Sequence, residues 1–297
     1  IAKLPLIYSA CGNIRGFMRR NSLKLNTFIL TVAGFIVKLL GFFYRIFIAN
    51  SIGAEGMGLY QLVLPVYNLI LLGLTAGVGV AVSRLVAEET ARGNHRNARR
   101  ITVVSGVSVF IAGTVIVMIL FFNLDFKVNV LVGDARTKTS LYYLLPVIPF
   151  IAAFTSLKGY FYGRQEMIPN AVSQVAEQVT KLIAVYLVAD IFVKGDLEQK
   201  CLFATIGLIT GEIANVLTVF IAFRLQKGDK TMPNRRIMRK RDIAKRVMRI
   251  SLPITMNRLI LSLLGTVEFL WIPQRLSVYG LSSAEALTQY GKLTGMA

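Results

Sequence analysis

Two cations inside one apolar stretch raise the first chemical question. In "VKLLGFFYRIF", residues 37–47, Lys38 and Arg45 stand seven residues apart. On a helix that interval is two turns, about 10 Å along the axis, and both side chains fall on one face. Gly34 and Gly41 recur at the same interval close to that face. A cation near a bilayer centre costs about 3 kcal/mol on insertion scales, so it usually faces a cavity or a partner. Two cations with small residues between them suit an anionic group held near the helix surface. Arginine in particular forks onto phosphate or carboxylate. The other reading of Arg45 is that it snorkels to the headgroups.

A second polar set lies in "AVSQVAEQVTKLIAVYLV", where Ser173, Glu177 and Lys181 recur at steps of four, as do Gln174 and Gln178. Glu177 stands four residues before Lys181, the favourable order for a helical ion pair. The stripe either lines a cavity or forms an internal pair that lets the helix pack against a neighbour. Glu212, Asn215, Asn257 and Arg258 add polar candidates within later apolar runs. Arg258 lies about two turns into its run, at a depth suited to a ligand-facing cation.

Catalytic signatures are missing. The chain has no G-x-x-x-x-G-K-[ST] phosphate loop, so ATP-driven transport by this chain alone is not expected. His95 is the single histidine and lies in a basic connection, where a solvated role is expected. Cys11 and Cys201 are far apart, and no His, Cys and carboxylate set has metal-ligand spacing. No acid/base pair assembles into an enzyme site, and no cofactor or metal is expected.

The elements that must position these residues follow from composition. Of 297 residues, 55% are hydrophobic and 16% charged, with a net charge of +19; mean hydropathy is +0.60. That is too apolar for an ordinary soluble domain, and the fold class is an all-α polytopic membrane protein. Seven apolar spans are predicted, at 27–49, 59–83, 101–123, 141–163, 171–193, 201–223 and 250–272. Pro65, Pro146, Pro149 and Pro253 fall inside them, where each removes a helix hydrogen bond and permits a bend. "GLTAGVGVAVS" in the second span favours close helix packing.

Lys and Arg number five in 1–26, five in 84–100, one in 164–170 and eleven in 224–249. The alternate connections 50–58, 124–140, 194–200 and 273–290 hold none, three, two and one. This asymmetry predicts a cytoplasmic N-terminus with alternating spans, and it accounts for the positive charge without nucleic acid. Within the largest basic connection, 235–250 reads either as an amphipathic helix lying on anionic lipid or as a solvated retention signal. Four regions result: a tail (1–24), a lobe of six helices (25–225), a basic connection (226–249) and a further segment (250–297). Residues 1–17, before "MRRNSLKLN", read as upstream sequence or a tail. Ending at "ALTQYGKLTGMA", in the first turns of a span, suggests the first part of a longer protein.

"GFFYRIFIANSIGAEGMGLYQLVLPVYNLILLGLTAGVGVAVSRLVAE" resembles the start of the stage V sporulation protein B family, in the polysaccharide-exporter branch of the multidrug/oligosaccharidyl-lipid/polysaccharide flippase superfamily. "LKGYFYGRQEMIPNAVSQVAEQV" and "SLPITMNRLILSLLGTVEFLWIPQRL" look like its fourth-to-fifth connection and its seventh helix. The resemblance covers about 25–297. It implies an N-terminal six-helix lobe of a MATE/lipid II flippase-like fold, the start of a C-terminal lobe, and a cavity between lobes. It also implies a lipid-linked sugar diphosphate as substrate, moved by alternating access. Lys38 falls on a cavity arginine of the related lipid II flippases' first-helix motif. The motif's second arginine falls on Tyr44, and its acid on Arg45, so the charge is shifted by one residue. On this reading Lys38, Arg45 and Arg258 neutralise the diphosphate, and Glu177, Lys181, Glu212, Asn215 and Asn257 line or couple the cavity. Two alternatives remain. One is a MATE-type drug or cation antiporter with Glu177 or Glu212 as proton site. The other is a membrane scaffold recruiting cell-wall synthesis proteins through its basic connections.

Overall fold

The computed structural model describes residues 22–122, 134–192, 196–226, 237–278, 285 and 288–290. Most of the tail expected at 1–24, residues 227–236 of the basic connection and most of the segment after 278 lie outside the described residues. Among the described residues every regular element is helical. They are α1 (Ser22–Ala91), α2 (His95–Phe121), α3 (Lys138–Leu144), α4 (Ile148–Gly163), α5 (Ile168–Phe192), α6 (Leu197–Leu225) and α7 (Lys240–Val278).

The first two predicted spans are two helical arms that meet directly at Gly53. α1 has 70 residues and breaks at Gly53, whose φ of 73° and ψ of 178° lie where only glycine is comfortable. At about 1.5 Å per residue the two arms together are about 100 Å long, enough for two crossings of a ~30 Å core. The two arms are called here by their residues, 22–52 and 54–91. α3 and α4 form one span, interrupted by a 3₁₀ turn at Leu145–Val147 that contains Pro146 and leads directly to Pro149. Both prolines thus stand where a missing N–H does least harm. Five helical stretches among the described residues are long and apolar enough to cross a membrane: Asn26–Ala91, His95–Phe121, Lys138–Gly163, Leu197–Leu225 and Lys240–Gly265. α5 has the length but is not one of the five, because Gln174, Glu177, Gln178 and Lys181 dilute its apolar content.

Packing explains the small residues. Arm 54–91 packs against α2 at Leu74, α4 at Gly79 and α7 at Gly77. A Cβ on Gly159 of α4 would stand 2.8 Å from the Gly79 carbonyl oxygen, so the two backbones nearly touch. Gly77 makes room for α7 in the same way: its N–H donates to Thr255 Oγ1 at 3.1 Å, and a side chain there would strike the Ser251 carbonyl. α5 and α6 pack along their length, and arm 22–52 lies against both. Of the amphipathic helix expected at 235–250, residues 235–236 lie outside the described residues, and helix is present from Lys240 onward. The described helix begins at Lys240 and runs without a break into the apolar segment, so the cations sit on the first turns of the seventh span.

The two ends of the bundle are tied by polar contacts. At the Gly53 end, Arg136 pairs with Asp134 at 2.8 Å and with Glu55 at 3.3 Å. Its hydrogen bond to Asp134 raises its pKa above the ordinary arginine value. At the other, basic end, Asn26 Nδ2 donates to the Gln165 carbonyl at 2.8 Å. Arg164 pairs with Glu166 at 3.1 Å, and Gln226 Nε2 donates to Glu166. Asn97 donates to Glu89 at 3.1 Å and accepts from the Met238 N–H at 3.3 Å. His95 belongs to this network rather than to solvent. It is half-buried, with Nδ1 3.1 Å from Arg164 Nη1. Arginine only donates, so Nδ1 is the acceptor here.

Candidate functional site

Two groups of embedded polar side chains emerge, built in opposite ways. The first lies between α5 and α6. Ser173, Glu177 and Lys181 follow one another at single-turn intervals and face inward, while Val172, Val179, Ile183, Tyr186 and Leu187 form the exposed apolar side of α5. Lys181 Nζ donates to Glu177 Oε1 at 2.5 Å, and these two side chains are only 11% and 13% exposed. The second carboxylate oxygen, Oε2, accepts from Asn215 Nδ2 of α6 at 2.7 Å. Gly211 makes this possible. A Cβ there would run into the Lys181 stem, so the lysine lies directly on the α6 backbone. The pair is therefore desolvated and almost fully satisfied, the condition under which a buried ion pair is tolerated. Asn215 Oδ1 is the exception, buried without a hydrogen-bond partner among the described residues. Glu212, one turn earlier on α6, is half-buried and faces the Tyr67 side chain of arm 54–91; Glu177, Lys181 and Lys158 are its charged neighbours.

The second group runs along arm 22–52. Thr31, Lys38 and Arg45 are all exposed and recur at seven. A straight helix drifts only about 20° over that interval, so they form one stripe. On one side of the stripe lie the exposed Phe35, Leu39 and Phe42. On the other lies Gly41, whose nearest neighbour is Gln178 of α5; a Cβ there would stand 3.9 Å from its Oε1. The cations thus mark the border between an apolar surface and the polar stripe of α5. Among the described residues no hydrogen bond or ion pair engages Lys38. Tyr44, next to Arg45, turns the other way and donates to the Ala204 carbonyl of α6 at 3.1 Å.

α7 contributes Asn257 and Arg258, both exposed. Leu259 beside them rests on Gly73 of arm 54–91. The structure therefore brings Glu177, Lys181 and Asn215 into direct contact, with Glu212 alongside. Lys38, Asn257 and Arg258 make no hydrogen bond or ion pair with that cluster among the described residues. Tyr67, Tyr44 and Lys158 were not expected at the site. Tyr67 stands seven residues after Tyr60 in an otherwise largely apolar run, a two-turn repeat that could have marked it. Among the described residues no three His, Cys, Asp or Glu side chains converge as a metal site. Chemically, the interior group braces two helices with a neutralised charge, whereas the stripe presents positive charge at a surface.

Comparison with known proteins places this arrangement. The family described as "Polysaccharide biosynthesis protein" matches residues 23–279. Stage V sporulation protein B of Bacillus subtilis (strain 168) is 34% identical over 282 residues, 94% of this chain and 54% of that protein. Lipid II flippase MurJ of the same organism is 28% identical over 229 residues, 72% of this chain and 42% of that protein. The chain thus spans about half the length of these relatives. Among solved structures, the inward-facing conformation of a multidrug resistance MATE family transporter of the MOP superfamily superposes with a TM-score of 0.62. That match has 17% identity and covers 83% of this chain and 56% of that one. It shows a shared fold.

Proposed function

The chain belongs to the polysaccharide biosynthesis protein family, and from that premise we propose that it is the N-terminal lobe and the start of the C-terminal lobe of a lipid-linked sugar flippase. It is a multi-pass membrane protein. The substrate would be an undecaprenyl-diphosphate-linked oligosaccharide or peptidoglycan precursor, crossing the cytoplasmic membrane by alternating access. The basic end would face the cytoplasm.

One observation carries this reading: Lys38 is a membrane-depth cation with no counter-ion among the described residues, beside glycines that leave room for a ligand. Lys181, by contrast, already has its carboxylate. A diphosphate headgroup supplies what Lys38 lacks, and Arg45 and Arg258 would share its charge. The Glu177–Lys181–Asn215 brace would keep α5 and α6 together while the lobes move, and Asn257 would line the cavity. Energy would come from the membrane potential or an ion gradient. The test is flipping of defined undecaprenyl-diphosphate sugars by the full-length protein in proteoliposomes, with Lys38→Ala and Arg258→Ala beside the parent. Both variants should flip more slowly at unchanged thermal stability. Full flipping by both would refute the assignment.

A second reading rests on Glu212, whose carboxylate is in no ion pair within 4.0 Å among the described residues and faces Tyr67. It makes the protein a drug or cation antiporter with Glu212 as proton site. An unchanged drug-susceptibility profile for Glu212→Gln would reject it.

A further inference from the structure

The first five turns of α7 carry a pattern that sugar transport does not use. Arg241, Lys245 and Arg249 recur at four, all exposed. Met248, Leu252 and Met256 also recur at four and are 65%, 58% and 50% exposed. Each apolar residue stands seven positions after one of the cations. Seven residues are two turns, so the apolar ridge repeats the cationic one on the same face, about 10 Å further along the axis. Ile243 and Val247 are buried on the opposite side, against the bundle. Lys240 and Arg246 are exposed beside the ridge, and Asp242 is the only acid from 240 to 256.

Cations followed by a parallel apolar strip match one kind of molecule. We propose that this face of α7 is a seat for an anionic phospholipid, with the phosphate against Arg241, Lys245 and Arg249 and an acyl chain along Met248, Leu252 and Met256. The apolar strip is what selects the partner. An acidic protein segment or nucleic acid would engage the cations and leave three large apolar side chains uncovered. A phospholipid covers both at the spacing of headgroup and chain. Continuity of α7 into an apolar span sets the depth, because the same rigid helix carries both ridges across the headgroup boundary.

The test uses the full-length protein in nanodiscs, with retained phosphatidylglycerol counted by native mass spectrometry. Removing the ridge (Arg241→Gln, Lys245→Gln, Arg249→Gln) should weaken phosphatidylglycerol retention about tenfold or more, given the attraction of each surface cation for anionic lipid. An equal charge loss off the ridge (Arg239→Gln, Lys240→Gln, Arg246→Gln) should cost less than about threefold. Met248→Ser with Leu252→Ser should weaken retention without any charge change, and phosphatidylcholine should not replace phosphatidylglycerol. Equal losses from the two triple variants would overturn the seat in favour of diffuse inner-surface charge. Displacement of phosphatidylglycerol by undecaprenyl diphosphate at lower concentration would reassign the ridge to the transport substrate. Protection of a Leu252→Cys thiol from maleimide in lipid-free detergent would show that further chain covers the face. Thermal unfolding of each variant separates lipid loss from misfolding.

Discussion

The α5–α6 interface and the outer edge of arm 22–52 both hold basic side chains within apolar helices, and they treat them differently. Lys181 lies on Gly211, 2.5 Å from Glu177, and Asn215 takes the other carboxylate oxygen. Lys38 and Arg45 stand at a surface, bordered by phenylalanines on one side and by Gln178 on the other. A charge that is neutralised at short range, out of water, acts as mortar between helices. The Lys38 charge, left at an edge with no hydrogen bond or ion pair among the described residues, is available to something that arrives. The difference separates residues whose loss should unfold the lobe from residues whose loss should stop its work.

The largest effect expected from this contrast is on the interior side. Glu177→Ala strands Lys181 as an uncompensated buried cation, which costs about 3–5 kcal/mol. The measurement is thermal unfolding and yield of the full-length protein in detergent. The double change Glu177→Met, Lys181→Leu should recover most of that loss, because a well-filled apolar pair is often as stable as the ion pair it replaces. If the single and double variants lose equally, the pair is not a brace and the contrast fails.

Next in size is a pair of glycine substitutions. Gly211→Ala drives a methyl group into the Lys181 stem, and overpacking of this kind costs about 1–3 kcal/mol. Gly34→Ala, beside the Lys38 stripe, meets nothing within 4 Å. There the substitution should be neutral or stabilise by up to about 1 kcal/mol through helix propensity. Unfolding midpoints of the two variants therefore move apart. Equal shifts would mean that the two edges are packed alike.

Much of the interior was legible in the sequence. The four-residue step from Glu177 to Lys181 announced an ion pair, because helix geometry fixes which residues meet within one element. The choice between cavity lining and internal pair was not legible, since it depended on Gly211 and Asn215 arriving from α6. Sequence order is silent about such encounters. The first two spans were placed correctly as two apolar helices, yet the break between them at the single residue Gly53 was hidden. The polar 50–58 stretch reads like a loop by composition. His95 was misplaced for a related reason: Arg164, its partner, is 69 residues away.

On the exposed side the effect should be on rate. Lys38→Ala should lower flipping by about tenfold, the loss of about 1.4 kcal/mol of interaction with a doubly charged headgroup. Its unfolding midpoint should stay within the scatter of the parent, because the side chain is exposed and holds no partner among the described residues. A Lys38→Ala protein that unfolds earlier but flips normally would invert the comparison.

The finest test uses the neighbours Tyr44 and Arg45, one residue apart and about 100° apart around the helix. Tyr44 points to α6 and gives its hydroxyl proton to the Ala204 carbonyl; Arg45 shares the exposed edge with Lys38. Tyr44→Phe keeps the ring but removes two hydrogen bonds, the one given to Ala204 and the one accepted from the buried Tyr60 hydroxyl. The Ala204 carbonyl lies inside α6, where the helix ladder already supplies a donor, so no acceptor is orphaned. The Tyr60 hydroxyl is left without this partner, so the cost should be about 1 kcal/mol, seen as a drop in unfolding midpoint with flipping unchanged. Arg45→Ala should slow flipping. If Tyr44→Phe slows flipping as much as Arg45→Ala does, the two faces of this arm are not separate. The division between interior bracing and exposed charge would then have to be redrawn at the level of single residues.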